Sequence, residues 1–208
     1  MLDIALNFLT AELNSYLVAR GARKPTDEIG KVEIGKLVDD TGKWAIIDDH
    51  IGASLIHIEE DRVMKSQLPE TVLAGGRHIV LEPKLKLNLH VLFAAKFQKY
   101  DEGLRSLSLV LTYFQSHPTF TPDTYSGLDT RIERLTVELQ SLTYEQLNQV
   151  WAFIGGKQLP SAIYKVRMVA LQDLEPKAIE PPVSEIQTTL LARPAAGQSA
   201  GQTTKQTR

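Results

Sequence analysis

The residues with the most reactive side chains fall in two short stretches. His57, Glu59, Glu60 and Asp61 offer one imidazole and three carboxylates within five positions, donor types that suit a hard divalent cation. On an extended chain His57 and Glu59 share a face. A metal site also needs convergent ligands from elsewhere in the chain, and the ordinary reading is a solvated strand end. Asp48-Asp49-His50 sets two carboxylates beside an imidazole, the groups of general acid–base chemistry. Paired aspartates are also ordinary turn residues, and Asp39-Asp40 uses them so.

The other candidates are weaker. His78 and His117 stand in loop-like surroundings with no nucleophile nearby in sequence, and His90 points away from the apolar side of its strand. Gly75-Gly76-Arg77 lacks the further glycines and lysine of a phosphate-binding loop. G-x-S-x-G, H-E-x-x-H and dinucleotide fingerprints do not occur. Lys84, Lys86 and Lys96 lie on one strand face, but no aromatic residue is interleaved for base stacking, so ion pairs with neighbours are the expectation. Trp151 ends an apolar helical stripe and is expected in the core. The reading assigns no catalytic, cofactor-binding or metal-ligating residue.

Composition agrees with that. The chain has 208 residues, one domain's worth, with a net charge of −2 that offers no overall attraction for nucleic acid or anionic membrane. Cysteine is absent, which removes disulfides, thiolate metal sites and a cysteine nucleophile. The N-terminus lacks the basic start of a signal peptide, and no apolar run approaches the roughly 18 residues of a spanning helix.

Apolar spacing predicts the elements that would carry these residues. Leu2, Leu6, Leu9, Leu13 and Leu17 predict a helix over residues 2–20, ended by Gly21. Val32 and Ile34, then Ile56 and Ile58, alternate as strands do, and the Asp39–Gly42 cluster suggests a hairpin-like connection between them. Residues 62–83, with Pro69, Gly75, Gly76 and Pro83, read as a long surface loop. From Leu85 to Phe97 every second residue is apolar, predicting a strand of about 40 Å that forms the spine of a sheet.

Asp101 is placed to cap a helix over residues 102–116, with Leu104, Leu107, Leu111 and Phe114 as its stripe. Residues 132–139 fit helix or strand, and the alternation of Thr136 and Glu138 favours strand. Thr143 with Gln146 forms a capping-box pattern for a helix that Gly155-Gly156 ends, and Ala162–Leu171 reads as a last strand. The expected fold is α+β: a mixed, mainly antiparallel sheet flanked by about three helices. Beyond Leu171 the 37 residues from Gln172 to Arg208 hold four prolines and no aromatic residue. That composition cannot offset its ordering entropy alone, so residues 1–171 are expected as the folded domain and 172–208 as a tail disordered unless docked.

Several stretches resemble a known family. They are Leu2-Asp3-Ile4-Ala5-Leu6-Asn7-Phe8-Leu9 with Glu12-Leu13-Asn14-Ser15-Tyr16-Leu17, Leu87-Asn88-Leu89-His90-Val91-Leu92-Phe93-Ala94-Ala95, and the segment from Leu107 to Phe120. Glu138-Leu139 with Leu142, Glu145-Gln146-Leu147-Asn148-Gln149-Val150-Trp151, Leu159-Pro160-Ser161 and Tyr164-Lys165-Val166-Arg167-Met168 extend it. Together they are similar to the tail-terminator, or cap, proteins of extracellular contractile injection systems, particles of the antifeeding-prophage and virulence-cassette type. No single motif is diagnostic; the order of weak matches over residues 1–171 carries the likeness.

The resemblance implies a non-enzymatic subunit without cofactor, assembled as a six-membered ring that closes the distal end of sheath and inner tube. Its partners would be other copies of itself, the sheath protein and the inner tube protein, with no nucleic acid and no membrane insertion. It would be cytoplasmic during assembly and then part of the particle. The segment Gln172 to Arg208 is the expected protein-interface element, able to add a strand to a neighbour's sheet edge. A baseplate or assembly adaptor of the same particle, and a metal-dependent enzyme or regulator built on His57, Glu59 and Asp61, are the alternative readings.

Overall fold

The computed structural model describes residues 1–21, 29–61, 70–74, 77–81, 86–170 and 178–180. Helix α1 (Leu2–Ala19) buries Ala5, Leu6, Leu9, Leu13 and Leu17, the i, i+4 stripe its leucines predict. Gly21 takes a φ of +66° just past its end, a left-handed conformation without penalty only for glycine.

Strands β1 (Val32–Ile34) and β2 (His50–Glu60) follow, and here the structure departs from the expected hairpin. The two strands pair in parallel, Val32 opposite Ile51 and Ile34 opposite Ala53. Parallel neighbours cannot be joined by a tight turn. The turn chemistry lies within the crossover over residues 35–49: the Asp39 carboxylate accepts from the Thr41 and Lys43 amides, and an isolated bridge joins Val38 to Trp44.

The 62–83 region is also corrected. Strands β3 (Glu70–Ala74) and β4 (Arg77–Leu81) pair in antiparallel register from Glu70 opposite Leu81 to Ala74 opposite Arg77. Thr71, Val72 and Leu73 before the two glycines, and Ile79, Val80 and Leu81 after them, are a hairpin signal. The flanking prolines disguise it as a loop. Strand β9 (Ala178–Glu180), within the segment expected as a tail, pairs with β4, so a second sheet runs β3-β4-β9.

Strand β5 (Lys86–Lys96) occupies the centre of the main sheet, whose order is β1-β2-β5-β8-β7-β6. Its eleven residues span about 36 Å, shorter than predicted; Lys84 and Leu85 lie outside the described residues. Both faces of its middle are buried, with Leu89, Val91, Phe93 and Ala95 on one side and Leu92 and Ala94 on the other. The opposite face is therefore apolar only at Leu92 and Ala94, with Lys86, Asn88 and His90 before them and Lys96 after.

Helix α2 (Tyr100–Ser116) begins at an N-cap Lys99 that makes no side-chain cap bond. Asp101 lies in the first turn instead of capping, where it still faces the positive end of the helix dipole. Its buried stripe is Gly103, Leu107, Val110, Tyr113 and Phe114, rotated so that Leu104 is exposed and Leu111 only partly covered.

Strands β6 (Thr119–Phe120), β7 (Ile132–Gln140) and β8 (Ser161–Ala170) complete the antiparallel side of the sheet, and residues 132–140 are strand as the alternation favoured. Helix α3 (Tyr144–Ile154) joins β7 to β8. Its capping box is formed, with the Gln146 amide donating to Thr143 Oγ1 at 3.2 Å and the Thr143 amide donating to the Gln146 side chain at 3.0 Å.

Two apolar cores result. The larger lies between the sheet and helices α1 and α2 and contains Phe93, Phe114, Phe120 and Tyr164. The smaller, built from Leu37, Ile46, Leu92, Ala94, Trp151 and Ile163, lies beneath α3 and the 35–49 crossover. Each fully buried Phe or Leu contributes about 1.5–3 kcal/mol.

Candidate functional site

Asp48-Asp49-His50 is a structural knot. The Asp49 carbonyl accepts from the Gly30 amide at 2.6 Å, and its carboxylate accepts from the Gln98 amide at 2.8 Å. Asp48 pairs with the Lys96 ammonium at 2.7 Å, and Lys96 also donates to the Ile46 carbonyl. Three distant segments, residues 29–30, 46–50 and 96–98, are thereby tied together. Asp49 holds a φ of +61°, which an aspartate tolerates at a cost repaid by these bonds. His50 is buried, its Nδ1 within 2.8 Å of the Asp48 carbonyl. Its Nε2 has no hydrogen-bond partner among the described residues.

The His57 and Glu59 stretch is built into a polar ladder. Register sets His57 (β2), His90 (β5), Lys165 (β8) and Glu138 (β7) in one row across four strands, with Glu59, Asn88, Arg167 and Thr136 in the next. The Glu59 carboxylate takes a hydrogen bond from Lys165 at 3.0 Å, which holds it below the usual carboxylate range. His90 Nε2 stands 3.5 Å from the same carboxylate, too far for a good hydrogen bond, and is otherwise unpartnered among the described residues. Arg167 pairs with Glu138 at 3.1 Å. An ammonium thus fills the place a cation would take beside Glu59. Among the described residues no group of three or more His, Asp or Glu side chains is placed to hold a metal ion.

Trp151 is buried, as expected for a core residue, and meets Trp44 edge to face with ring centroids 6.4 Å apart. It is the only fully buried residue of α3. Its indole Nε1 has no partner among the described residues, and a groove of about 240 Å³ runs alongside between Tyr144, Asn148 and Gln158.

The sheet edges differ. Val32 on the β1 edge exchanges both outward backbone groups with the Asn14 side chain of α1: Val32 N–H donates to Asn14 Oδ1 and Asn14 Nδ2 donates to the Val32 carbonyl, each at 2.9 Å. Asn14 stands in for a further strand, a role that only the folded proximity of α1 and β1 reveals. At the other edge β6 covers β7 at Leu135 and Thr136, and the Val137 amide reaches the Pro118 carbonyl. Leu139 projects beyond, exposed.

The remaining candidates are not gathered. His117 stacks on Tyr113 with centroids 4.7 Å apart. Arg77 and His78 belong to β4, while Gly75 and Gly76 lie outside the described residues. Of the basic strip, Lys96 is engaged by Asp48 and Lys84 lies outside the described residues. Of Gln172 to Arg208, only Ala178–Glu180 falls within the described residues.

The class the fold defines is an α+β module, whose six-stranded main sheet is mixed and mostly antiparallel with helices on both faces. The sequence matches the Pvc16 N-terminal domain family over residues 6–185, and the chain belongs to that family. Its fold is similar to a solved sheath/tube terminator of the PVC extracellular contractile injection system in the extended state. That match has a TM-score of 0.58 at 17% identity, covering 91% of this chain and 65% of that one. It is also similar to the tube-terminating cap of the anti-feeding prophage, with a TM-score of 0.53 at 18% identity over 86% of this chain and 58% of that one. At these identities the likeness is one of fold. The chain spans about three fifths of the length of these two proteins. No curated protein matches the sequence.

Proposed function

We propose that this chain is the structural tail-terminator, or cap, subunit of a contractile injection system. The observation that carries the reading is the fold shared over 91% of the chain with a sheath/tube terminator, supported by the family match over residues 6–185. The cap works without catalysis or cofactor. Copies of it form a homohexameric ring that closes the distal end of sheath and inner tube, assembled in the cytoplasm and retained in the particle. No described helix is long and apolar enough to cross a membrane.

Deleting the gene and imaging the particles tests this. Sheath–tube assemblies of irregular length with unclosed ends are expected; particles of normal, uniform length and stability would overturn the reading. With 1–171 proposed as the folded domain and β9 already paired to β4, the rest of the segment 172–208 is proposed to dock on sheath or neighbour. Limited proteolysis beyond Glu180, past the β9 strand, should then be slower in assembled particles than in the isolated subunit, and equal rates would refute it.

A further inference from the structure

Tyr144, Asn148 and Trp151 stand at i, i+4 and i+7, so they share one face of α3. Gly155 ends the helix with a φ of +79°, and Gly156 and Gln158 beyond it complete the lining of the groove, which holds about 240 Å³. Two of the lining groups are at odds with a finished surface. The Tyr144 ring is 94% exposed. The Trp151 indole is 4% exposed, yet its N–H finds no acceptor among the described residues. A buried donor left without an acceptor is rare in native structures and destabilises them. The exposed amides of Asn148 and Gln158, each able to donate and accept, flank it.

We propose that this groove receives Pro181-Pro182 of a second copy of this chain, bound as a polyproline II segment. Grooves lined by aromatic side chains take such segments, whose backbone carbonyls are not used internally. The hydrogen-bonding types are complementary: proline offers a carbonyl acceptor and no N–H, whereas an indole only donates. The fixed φ of proline also lowers the ordering cost of binding, and its ring is a compact apolar surface for Tyr144. Pro181-Pro182 is the sole adjacent proline pair in the sequence. It lies outside the described residues, directly after β9. Strand β9 pairs with β4, and the chain from β4 enters β5 at Lys86, opposite Val169 of β8. The groove adjoins the other end of β8, where Gln158 leads to Ser161, about 26 Å from Val169 along the strand. The pair therefore leaves its own subunit at the end remote from its own groove, and a neighbour's groove is the one it meets.

The inference rests on the proposal that residues beyond β9 dock on a partner, and it names the receiving surface. The first test is fluorescence anisotropy of a dye-labelled peptide with the sequence of residues 178–187. Its receptor is the full chain carrying Pro181→Ala and Pro182→Ala, so that the chain's own pair does not compete. Saturable binding is expected, and a peptide with alanine at both prolines should bind about tenfold more weakly or worse. Tyr144→Ala in the receptor should weaken binding about tenfold. Trp151→Phe keeps an aromatic ring in the core and removes the donor, and should weaken it about three- to tenfold. Thermal melts verify that each receptor is folded. No binding, equal binding of the alanine peptide, or full affinity in either receptor variant overturns the assignment. The second test uses tryptophan emission, since Trp44 and Trp151 are the chain's two tryptophans and both lie here. Emission of the wild-type chain should change with protein concentration. Pro181→Ala with Pro182→Ala should abolish that change, and Pro194→Ala should retain it. A change that is independent of concentration overturns the assignment to a second copy. If residues beyond Glu180 are protected from protease in particles of wild type and of Tyr144→Ala alike, the docking proposal stands and this groove falls.

Discussion

Asn14→Ala isolates the link between α1 and the edge of the main sheet. Val32 is buried, and its outward N–H and C=O are both satisfied by the Asn14 amide at 2.9 Å. Truncation leaves one donor and one acceptor unpaired beneath the helix. Each such group costs about 1–3 kcal/mol. Asn14 is only partly buried, so water can reach part of the gap, and the sum is set at about 2–4 kcal/mol. With a urea slope of about 2 kcal/mol/M, the denaturation midpoint falls by about 1–2 M at unchanged slope. Asn14→Asp can still accept from Val32 N–H but faces the Val32 carbonyl with a second acceptor, so it should be at least as destabilising. A freed edge also favours strand pairing between molecules, and light scattering should report aggregation of the Ala variant near its midpoint. A loss below about 0.5 kcal/mol for Asn14→Ala, or wild-type stability for Asn14→Asp, refutes the reasoning.

Three further outcomes are expected. Gly156→Ala places a Cβ 2.9 Å from Trp44 Cη2 and Val38 Cγ2. It should cost about 1–3 kcal/mol and change tryptophan emission as Trp44 shifts against Trp151; an unchanged spectrum and melt would count against that packing. Asp129, bonded by Arg131, should titrate at about 2 by NMR and return towards 3.8 in Arg131→Ala. Because its folded value is depressed, its stabilising effect is present above about 3.8 and is lost as pH falls through about 2; an ordinary titration would refute the pairing. Thr143→Ala removes the capping box and should lower stability by about 1 kcal/mol, with faster amide exchange in the first turn of α3 than in its last.

Elements defined by local rules were legible. The leucine stripe of α1, the Thr143–Gln146 box, the alternation along β5 and β8, and the strand at 132–140 all depend on neighbours in sequence. The hairpin β3–β4 was legible in principle from β-branched runs around a glycine pair, but Pro69 and Pro83 at its margins suggested a loop. Asp101 failed as a cap because a cap is defined by one residue's geometry, and the helix starts one residue before it.

Long-range pairing was not legible. Turn residues at Asp39–Gly42 could not reveal that β1 and β2 run parallel, since the turn closes a bridge inside the crossover. Asp49 shows only local turn character, yet its bonds reach Gly30 and Gln98. Glu59 resembled a ligand until β8 brought Lys165 against it.

By itself, then, the sequence determined the α+β order of elements and their apolar faces, because side-chain periodicity is read within a turn or a strand. The tertiary structure alone decided which edge of the sheet is closed by Asn14 and which carboxylates are spent on structure, because those depend on residues brought together from distant parts of the chain.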